Sequence, residues 1–275
     1  MVELGSVLPR LAEIGDSTVE AGAAILWDAE CWWAMQGTHL PSSALDYLTA
    51  VRAAHRQFFR AGVTVDFVAP GTELSAYPVV VVPSLYLVSD EAIETMARYV
   101  HGGGQLVVGY FSGIVDPDLR VRLGGYGGAL AELLGIRVEE FHPLPPDGEV
   151  GLASGGRGRL WSEEVQVLSA EVVDRYAGGV LDGKPAITRH QVGAGAAWYV
   201  STELDDSTVA RLAGWSPSRV ETVRRSAGGT TWTFLLNHGA EDADVLADGI
   251  ELVSGTPVEG QLRVPAGGYA VVRSR

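Results

Sequence analysis

Three short apolar runs, separated by segments of helical periodicity, constrain this chain more than any other feature of its sequence. Ala23-Ala-Ile-Leu-Trp27, Val79-Val-Val-Val82 and Gln105-Leu-Val-Val-Gly-Tyr-Phe111 contain no charged residue. Runs of this length without polar alternation suit strands buried on both faces, as in a parallel sheet covered by helices. Val63-Thr-Val-Asp-Phe-Val68 alternates and reads as a further strand. Two helical patterns lie between the runs. Pro41-Ser-Ser43 supplies N-cap candidates for a helix carrying Leu45, Leu48, Val51, Phe58 and Phe59 and stopped at Gly62. Ser89-Asp-Glu91 opens a second, with Ile93, Met96, Ala97 and Val100, ended by Gly102-Gly-Gly104. The order strand, helix, strand, strand, helix, strand predicts an α/β domain built on a flavodoxin-like, doubly wound parallel sheet.

The flanking text has a different character. Leu4, Leu8, Leu11 and Ile14 are spaced for a short opening helix, with Pro9 positioned to kink or restart it. After Gly124 come a short helix over 129–134, an extended stretch over 136–141 and the stiff linker Pro143-Leu-Pro-Pro-Asp-Gly148. Residues 165–176 and 185–201 read as β pairs, with Gly193-Ala-Gly195 as one hairpin turn, and Thr208 to Ala213 suffices for one or two helical turns. Beyond Gly214-Trp-Ser-Pro217, short strands broken by Gly, Asp and Pro predict a small all-β sandwich. The expected division is therefore 1–18 as opening helix and linker, 19–204 as the α/β domain, and 215–275 as the β domain.

A formal net charge of −14 argues against binding through nucleic-acid phosphates or anionic lipid, both of which require clustered Lys and Arg. Cys31 is the only cysteine, which excludes an intrachain disulfide and a Cys-based zinc site. Met1-Val-Glu-Leu-Gly has no basic and apolar leader pattern, and no run reaches the ~18–20 apolar residues that span a bilayer. A cytoplasmic location is the resulting expectation.

Ligands of open parallel sheets gather at the carboxyl ends of the strands. That directs attention to Asp28, Glu30, Trp32 and Trp33, to Tyr86, and to Phe111 and Ser112 as cleft or interface residues. Asp28 and Glu30 are the raw material of glycoside hydrolysis, but residues two apart have no reason to face each other across a sugar ring. Trp32 and Trp33 suit sugar stacking, a subunit interface or a core. Ser112 lies where a nucleophile elbow would turn, yet Gly109-Tyr-Phe-Ser112-Gly is not G-x-S-x-G, because its first glycine is one residue early. Cys31 reads as a small buried hydrophobe. Gly102-Gly-Gly104 follows a helix rather than a strand, and Gly193-Ala-Gly195 sits in β structure, so neither is a phosphate loop. The six histidines show no i, i+4 pair. No catalytic residue, metal or cofactor is assigned.

An ordered set of strings resembles the glycoside hydrolase family 42 β-galactosidases. They include Asp28-Ala-Glu-Cys-Trp-Trp-Ala34, Val81-Val-Pro-Ser-Leu-Tyr-Leu-Val-Ser89, Tyr110-Phe-Ser-Gly-Ile-Val-Asp116, Arg122-Leu-Gly-Gly-Tyr126, Leu134-Gly-Ile-Arg-Val-Glu-Glu-Phe141, Ala186-Ile-Thr-Arg-His190 and Phe234-Leu-Leu-Asn-His238. In that family a catalytic (β/α)₈ barrel comes first, then a class I glutamine amidotransferase-like trimerisation domain, then a small β domain. The resemblance implies that this chain corresponds to the last two and lacks the catalytic glutamates, which lie in the barrel. It further implies homotrimeric self-association, a galactoside contact near the trimer cleft, and no activity of the chain alone. One departure is the stretch between Leu204 and Trp215, shorter than the family's usual connection. Two other readings compete: a stand-alone carbohydrate-binding or regulatory amidotransferase-like module using Trp32 and Trp33, and an independent hydrolase built on Ser112 or Cys31.

Overall fold

The computed structural model describes Gly5 and residues 7–38, 40–216 and 218–274. Met1 to Leu4, His39 and Pro217 lie outside the described residues. The chain forms two compact units: Ala23–Gln57 with Asp66–Gly214, and Phe58–Val65 with the chain up to Gly22 and from Trp215 onward.

The larger unit is a sheet-rich α/β structure centred on ten strands. Parallel pairing joins Ala23–Leu26 to Val79–Val82, Val79–Val82 to Gln105–Gly109, and Gln105–Gly109 to Gly195–Val200. Val65–Val68 flanks Ala23–Leu26 at the near edge. The apolar runs thus sit beside one another, with all of Ala23–Leu26 buried. The sheet is mixed, however, and not wholly parallel. A two-residue turn at Gly193 and Ala194 folds Pro185–Val192 antiparallel onto Gly195–Val200. Glu171–Ala177, Glu149–Leu152, Arg157–Arg159 and Glu203–Leu204 then extend the same sheet. The pair read over 185–201 therefore continues the central sheet, whereas the segment 165–176 is split between that sheet, which takes Glu171–Ala177, and a separate ribbon. Ile136–Pro143 and Trp161–Val167 form a separate antiparallel ribbon.

Helices form where caps and spacing place them. In Tyr47–Arg60, Tyr47, Val51 and Phe58 are buried at helical spacing, and Gly62 follows in the left-handed region at φ 70°. Asp90–His101 starts at Ser89, whose Oγ accepts from Ala92 N at 3.2 Å. Asp206–Ala213 fills the short stretch before Trp215, capped by Asp205, whose carboxylate accepts from Thr208 N at 2.7 Å. Among the described residues no helix is long and apolar enough to cross a membrane.

The smaller unit is a six-stranded antiparallel sheet in the order Thr18–Glu20, Val220–Ala227, Thr230–Asn237, Tyr269–Ser274, Gly249–Glu251, Thr256–Val258. Alternation along Thr230–Asn237 gives it two apolar faces. Leu235 joins Val220, Val264, Ala270 and Val272 beneath the ribbon of Ala243–Leu246 and Gln261–Val264. Trp232 and Phe234 face the other way, with Val271, Leu11 and Ile14. Leu11 and Ile14 belong to Leu8–Ile14, a 3₁₀ helix with Pro9 in its first turn. The opening segment therefore packs within the β unit, and Thr18–Glu20 pairs there with Val220–Ala227.

Candidate functional site

Each candidate residue sits where an apolar strand ends. Ala23–Leu26 leads into Trp27 and Asp28, the N-cap of a helix, Ala29–Ala34, that the sequence pattern did not signal. Asp28 accepts from Glu30 N at 2.9 Å, while its own N–H donates to Tyr47 Oη at 3.1 Å. Trp27 stacks on Tyr47 with ring centroids 5.3 Å apart, and Trp32 lies 6.1 Å from Trp27. Asp28 is therefore occupied as a cap and Glu30 is exposed, so the two carboxylates do not converge. Trp33 is 63% exposed. Asp28→Ala is expected to cost about 1 kcal/mol, the usual value of an N-cap. A fall of roughly 2–4 °C in the thermal midpoint would show it, and an unchanged midpoint would remove the cap assignment.

Cys31 is fully buried, its Sγ 3.9 Å from Ser84 O. Burial pushes its thiol up to about 12, against backbone hydrogen bonds from Leu87 and Tyr86 that favour the thiolate. It is a packed thiol and not a nucleophile. Ser112 is equally committed: its Oγ donates to Gly109 O at 2.8 Å and accepts from Leu85 N at 3.0 Å. It ties together the turns that follow two neighbouring strands. The left-handed position of the elbow belongs to Phe111, at φ 56°. Tyr86 and Phe111 are buried and stacked, with centroids 5.2 Å apart.

Phe111 leads to a group the sequence reading missed. Its N–H donates to Glu163 Oε1 at 3.1 Å, which also accepts from Trp161 Nε1 at 2.8 Å. Tyr199 Oη donates to Glu163 Oε2 at 2.5 Å. Burial raises the Glu163 carboxyl to about 7, against these three donors, which favour the charged form. Tyr199 in turn is pushed well above the phenol range by burial and then by the Glu163 charge. Around them Phe111, Phe141 and Trp161 pack with centroids 5.0–5.4 Å apart, and Tyr126 covers Phe141. The signal was present in Trp161-Ser-Glu163-Glu-Val165, where period-2 alternation places Glu163 on the face of Trp161 and Val165. With donors on Phe111, Trp161 and Tyr199, the carboxyl fixes the aromatic floor beneath the elbow.

One nucleophile–base pair lies elsewhere in the larger unit. Ser169 Oγ is 3.0 Å from His190 Nε2, and His190 Nδ1 is 2.9 Å from Leu133 O. With Nδ1 donating to that carbonyl, Nε2 accepts from Ser169. Acyl transfer also requires N–H groups free to hold an oxyanion. The N–H groups of Leu168, Ser169 and Ala170 all point at Gly135 O, at 2.9, 3.0 and 3.2 Å. Among the described residues no group of three or more His, Cys, Asp or Glu is placed to hold a metal ion.

Known proteins match both parts of the chain. Residues 21–216 match the family model described as β-galactosidase trimerisation domain, and residues 219–274 match that described as β-galactosidase C-terminal domain. A β-galactosidase from Arthrobacter sp. is 44% identical over 99% of this chain, which covers 41% of that protein. The β-galactosidase BgaB of Geobacillus sp. (strain Y412MC61) is 37% identical over 77% of this chain, covering 32% of the relative. The crystal structure of a β-galactosidase from Bacillus circulans sp. alkalophilus superposes with a TM-score of 0.91 at 30% identity, covering 99% of this chain and 44% of that one. The chain thus spans less than half the length of these relatives.

Proposed function

This chain belongs to the glycoside hydrolase family 42 β-galactosidases, as their trimerisation and C-terminal domains, and from that premise we propose that it is the region through which such an enzyme assembles as a homotrimer. The observation that carries the reading is the trimerisation-domain match over residues 21–216. The whole enzyme would hydrolyse terminal β-galactosides with groups outside this chain. Consistent with that division, Ser112 and Cys31 are engaged in packing, and Asp28 caps a helix.

Within this reading, residues 19–204 serve assembly and 215–275 form the accessory β domain. Parallel pairing from Ala23–Leu26 through Gly195–Val200, with a left-handed residue after Gln105–Gly109, supports a flavodoxin-like, amidotransferase-like core with Phe111 at its elbow. The single, buried Cys31 suits a cytoplasmic protein. A galactoside contact near the trimer cleft falls to Trp33 and Glu30, the exposed members of the candidate set.

Light scattering after size-exclusion chromatography tests the assembly. One chain is 29.1 kDa, so a trimer is 3 × 29.1 = 87.3 kDa. A mass near 87.3 kDa is the expected result. A species of 29.1 kDa at every concentration would overturn self-assembly by this chain. The exposure of Trp33 favours one competing reading, a carbohydrate-binding module. Quenching of tryptophan fluorescence by galactose or lactose in a monomeric chain, lost in Trp33→Ala, would replace the assembly reading with that one.

A further inference from the structure

We propose that the hairpin spanning residues 115–126 is the surface by which one copy of this chain grips the next. The proposal rests on the assembly reading and adds to it the location and kind of contact.

The hairpin is built to hold apolar side chains in solvent. Val115 bridges Leu87 on one side and Val121 on the other. Its turn is fixed by Asp116, whose Oδ1 accepts from Asp118 N at 2.9 Å and Arg120 N at 3.0 Å. The backbone of Asp116 closes the same turn, accepting from Leu119 N and donating to Arg120 O. Leu119 is thereby held in the left-handed region at φ 60°, a conformation that L side chains rarely adopt.

Arg122 then sets which side chains point outward. Its N–H donates to Ile114 O at 3.0 Å, Nη2 donates to Val88 O at 2.7 Å, and Nη1 pairs with Asp90 at 2.7 Å. With the arginine pinned inward, its two neighbours alternate outward. Val121 is 63% exposed and Leu123 is 96% exposed, and Leu119 and Tyr126 are partly exposed beside them. Solvated apolar clusters of this kind mark contact surfaces. Because the backbone is already fixed, little conformational freedom is lost when the cluster is covered.

Two observations identify a second copy as the occupant. The trimerisation-domain match, residues 21–216, contains the hairpin. Charge points the same way. The chain as a whole carries −14, yet the hairpin 115–126 holds two arginines and two aspartates and is neutral. On a strongly acidic molecule a neutral patch is a place where another copy is least repelled. A contact that uses the same patch on both partners closes on a two-fold axis, so a three-membered ring requires a heterologous one. The hairpin therefore meets a different surface of its neighbour.

Leu123→Asp in the full chain is the test, with mass measured by light scattering at matched concentrations. Leu123 is almost fully solvated, so circular dichroism and the thermal midpoint of its unfolding should be unchanged. The concentration for half-assembly should rise by about 30-fold or more, the effect of losing an interface hot spot. Leu123→Ser serves as a milder variant should the charge disturb the turn. Val180→Asp and Leu246→Asp, at positions 87% and 86% exposed, should leave the mass unchanged. A wild-type trimer that persists in Leu123→Asp would overturn the hairpin contact and leave the assembly reading standing. Equal loss in all three Asp variants would show non-specific association and also overturn it. A monomeric wild type would remove both.

Discussion

Replacing Glu163 by Ala is expected to lower the stability of the larger unit by about 3–5 kcal/mol, read from the urea midpoint. Removing one partner of a buried hydrogen bond leaves the other unsatisfied, at a cost of about 1–3 kcal/mol each. Here the Phe111 N–H, the Trp161 Nε1–H and the Tyr199 hydroxyl lose their common acceptor at once. Glu163→Gln keeps an acceptor oxygen and most of the volume, so its cost should be clearly smaller. The two variants also separate packing from charge. Burial raises the carboxyl from 4.5 to about 7 in the folded chain. Below about 4.5 the group is protonated whether folded or unfolded. Between the two values the folded chain holds a proton that the unfolded chain releases, and above about 7 both are ionised. The stability contributed by this protonation is therefore fully present at low pH and is lost as pH rises through 7. Wild type should lose stability relative to Glu163→Gln across that window. Parallel profiles for the two proteins would mean that Glu163 does not titrate there.

Gly195→Val should be comparably damaging, costing about 3 kcal/mol or more, at the upper end for overpacked sites. A Cβ at Gly195 would lie 2.3 Å from both Gly104 O and Val100 O. Both are backbone atoms, held by Asp90–His101 and by the bond from Ala196 N to Gly104 O at 3.2 Å. Neither can move without opening the pairing of Gly195–Val200 with Gln105–Gly109. The thermal midpoint should fall by roughly 6–12 °C, and a fall of under about 2 °C would show that the two turns separate easily. The same contact explains both glycine-rich stretches that looked like failed phosphate loops. They are glycine-rich because two backbone turns meet there.

What the sequence made legible was local. Apolar runs marked Val79–Val82 and its parallel neighbours, Ser89 marked a cap, and Gly62 and Gly193 marked a helix end and a turn. Pairing between distant segments has no such local trace. The parallel joining of Gly195–Val200 to Gln105–Gly109, which brings the antiparallel Pro185–Val192 into the sheet, depends on which strand edge remains free. Helix Ala29–Ala34 was hidden because its aromatic residues serve β structure as readily as helix. Strands Glu149–Leu152 and Arg157–Arg159 were obscured by the glycines between and within them. At the candidate site, the seven residues follow the strand ends as sheet geometry leads one to expect. The occupant of the elbow and its buried partner required coordinates, since Ser112 and Phe111 are adjacent and only the backbone decides which takes the left-handed position. Glu163 has no carboxylate partner to mark it in the sequence, being paired with hydrogen-bond donors instead.

The strand Thr18–Glu20 sets a clock on biosynthesis. Its partner is Val220–Ala227, and the bond from Arg225 Nε to Ser17 Oγ spans 208 residues. At 5–20 residues per second a ribosome takes roughly 10–40 s to cover that distance. For that time the strand waits with an unpaired edge, the exposure through which sheets join wrongly. Glu20, and the exposed Glu13 and Asp16 before it, give the waiting segment like charge. Two nascent copies on neighbouring ribosomes then repel each other at the edge most open to mispairing.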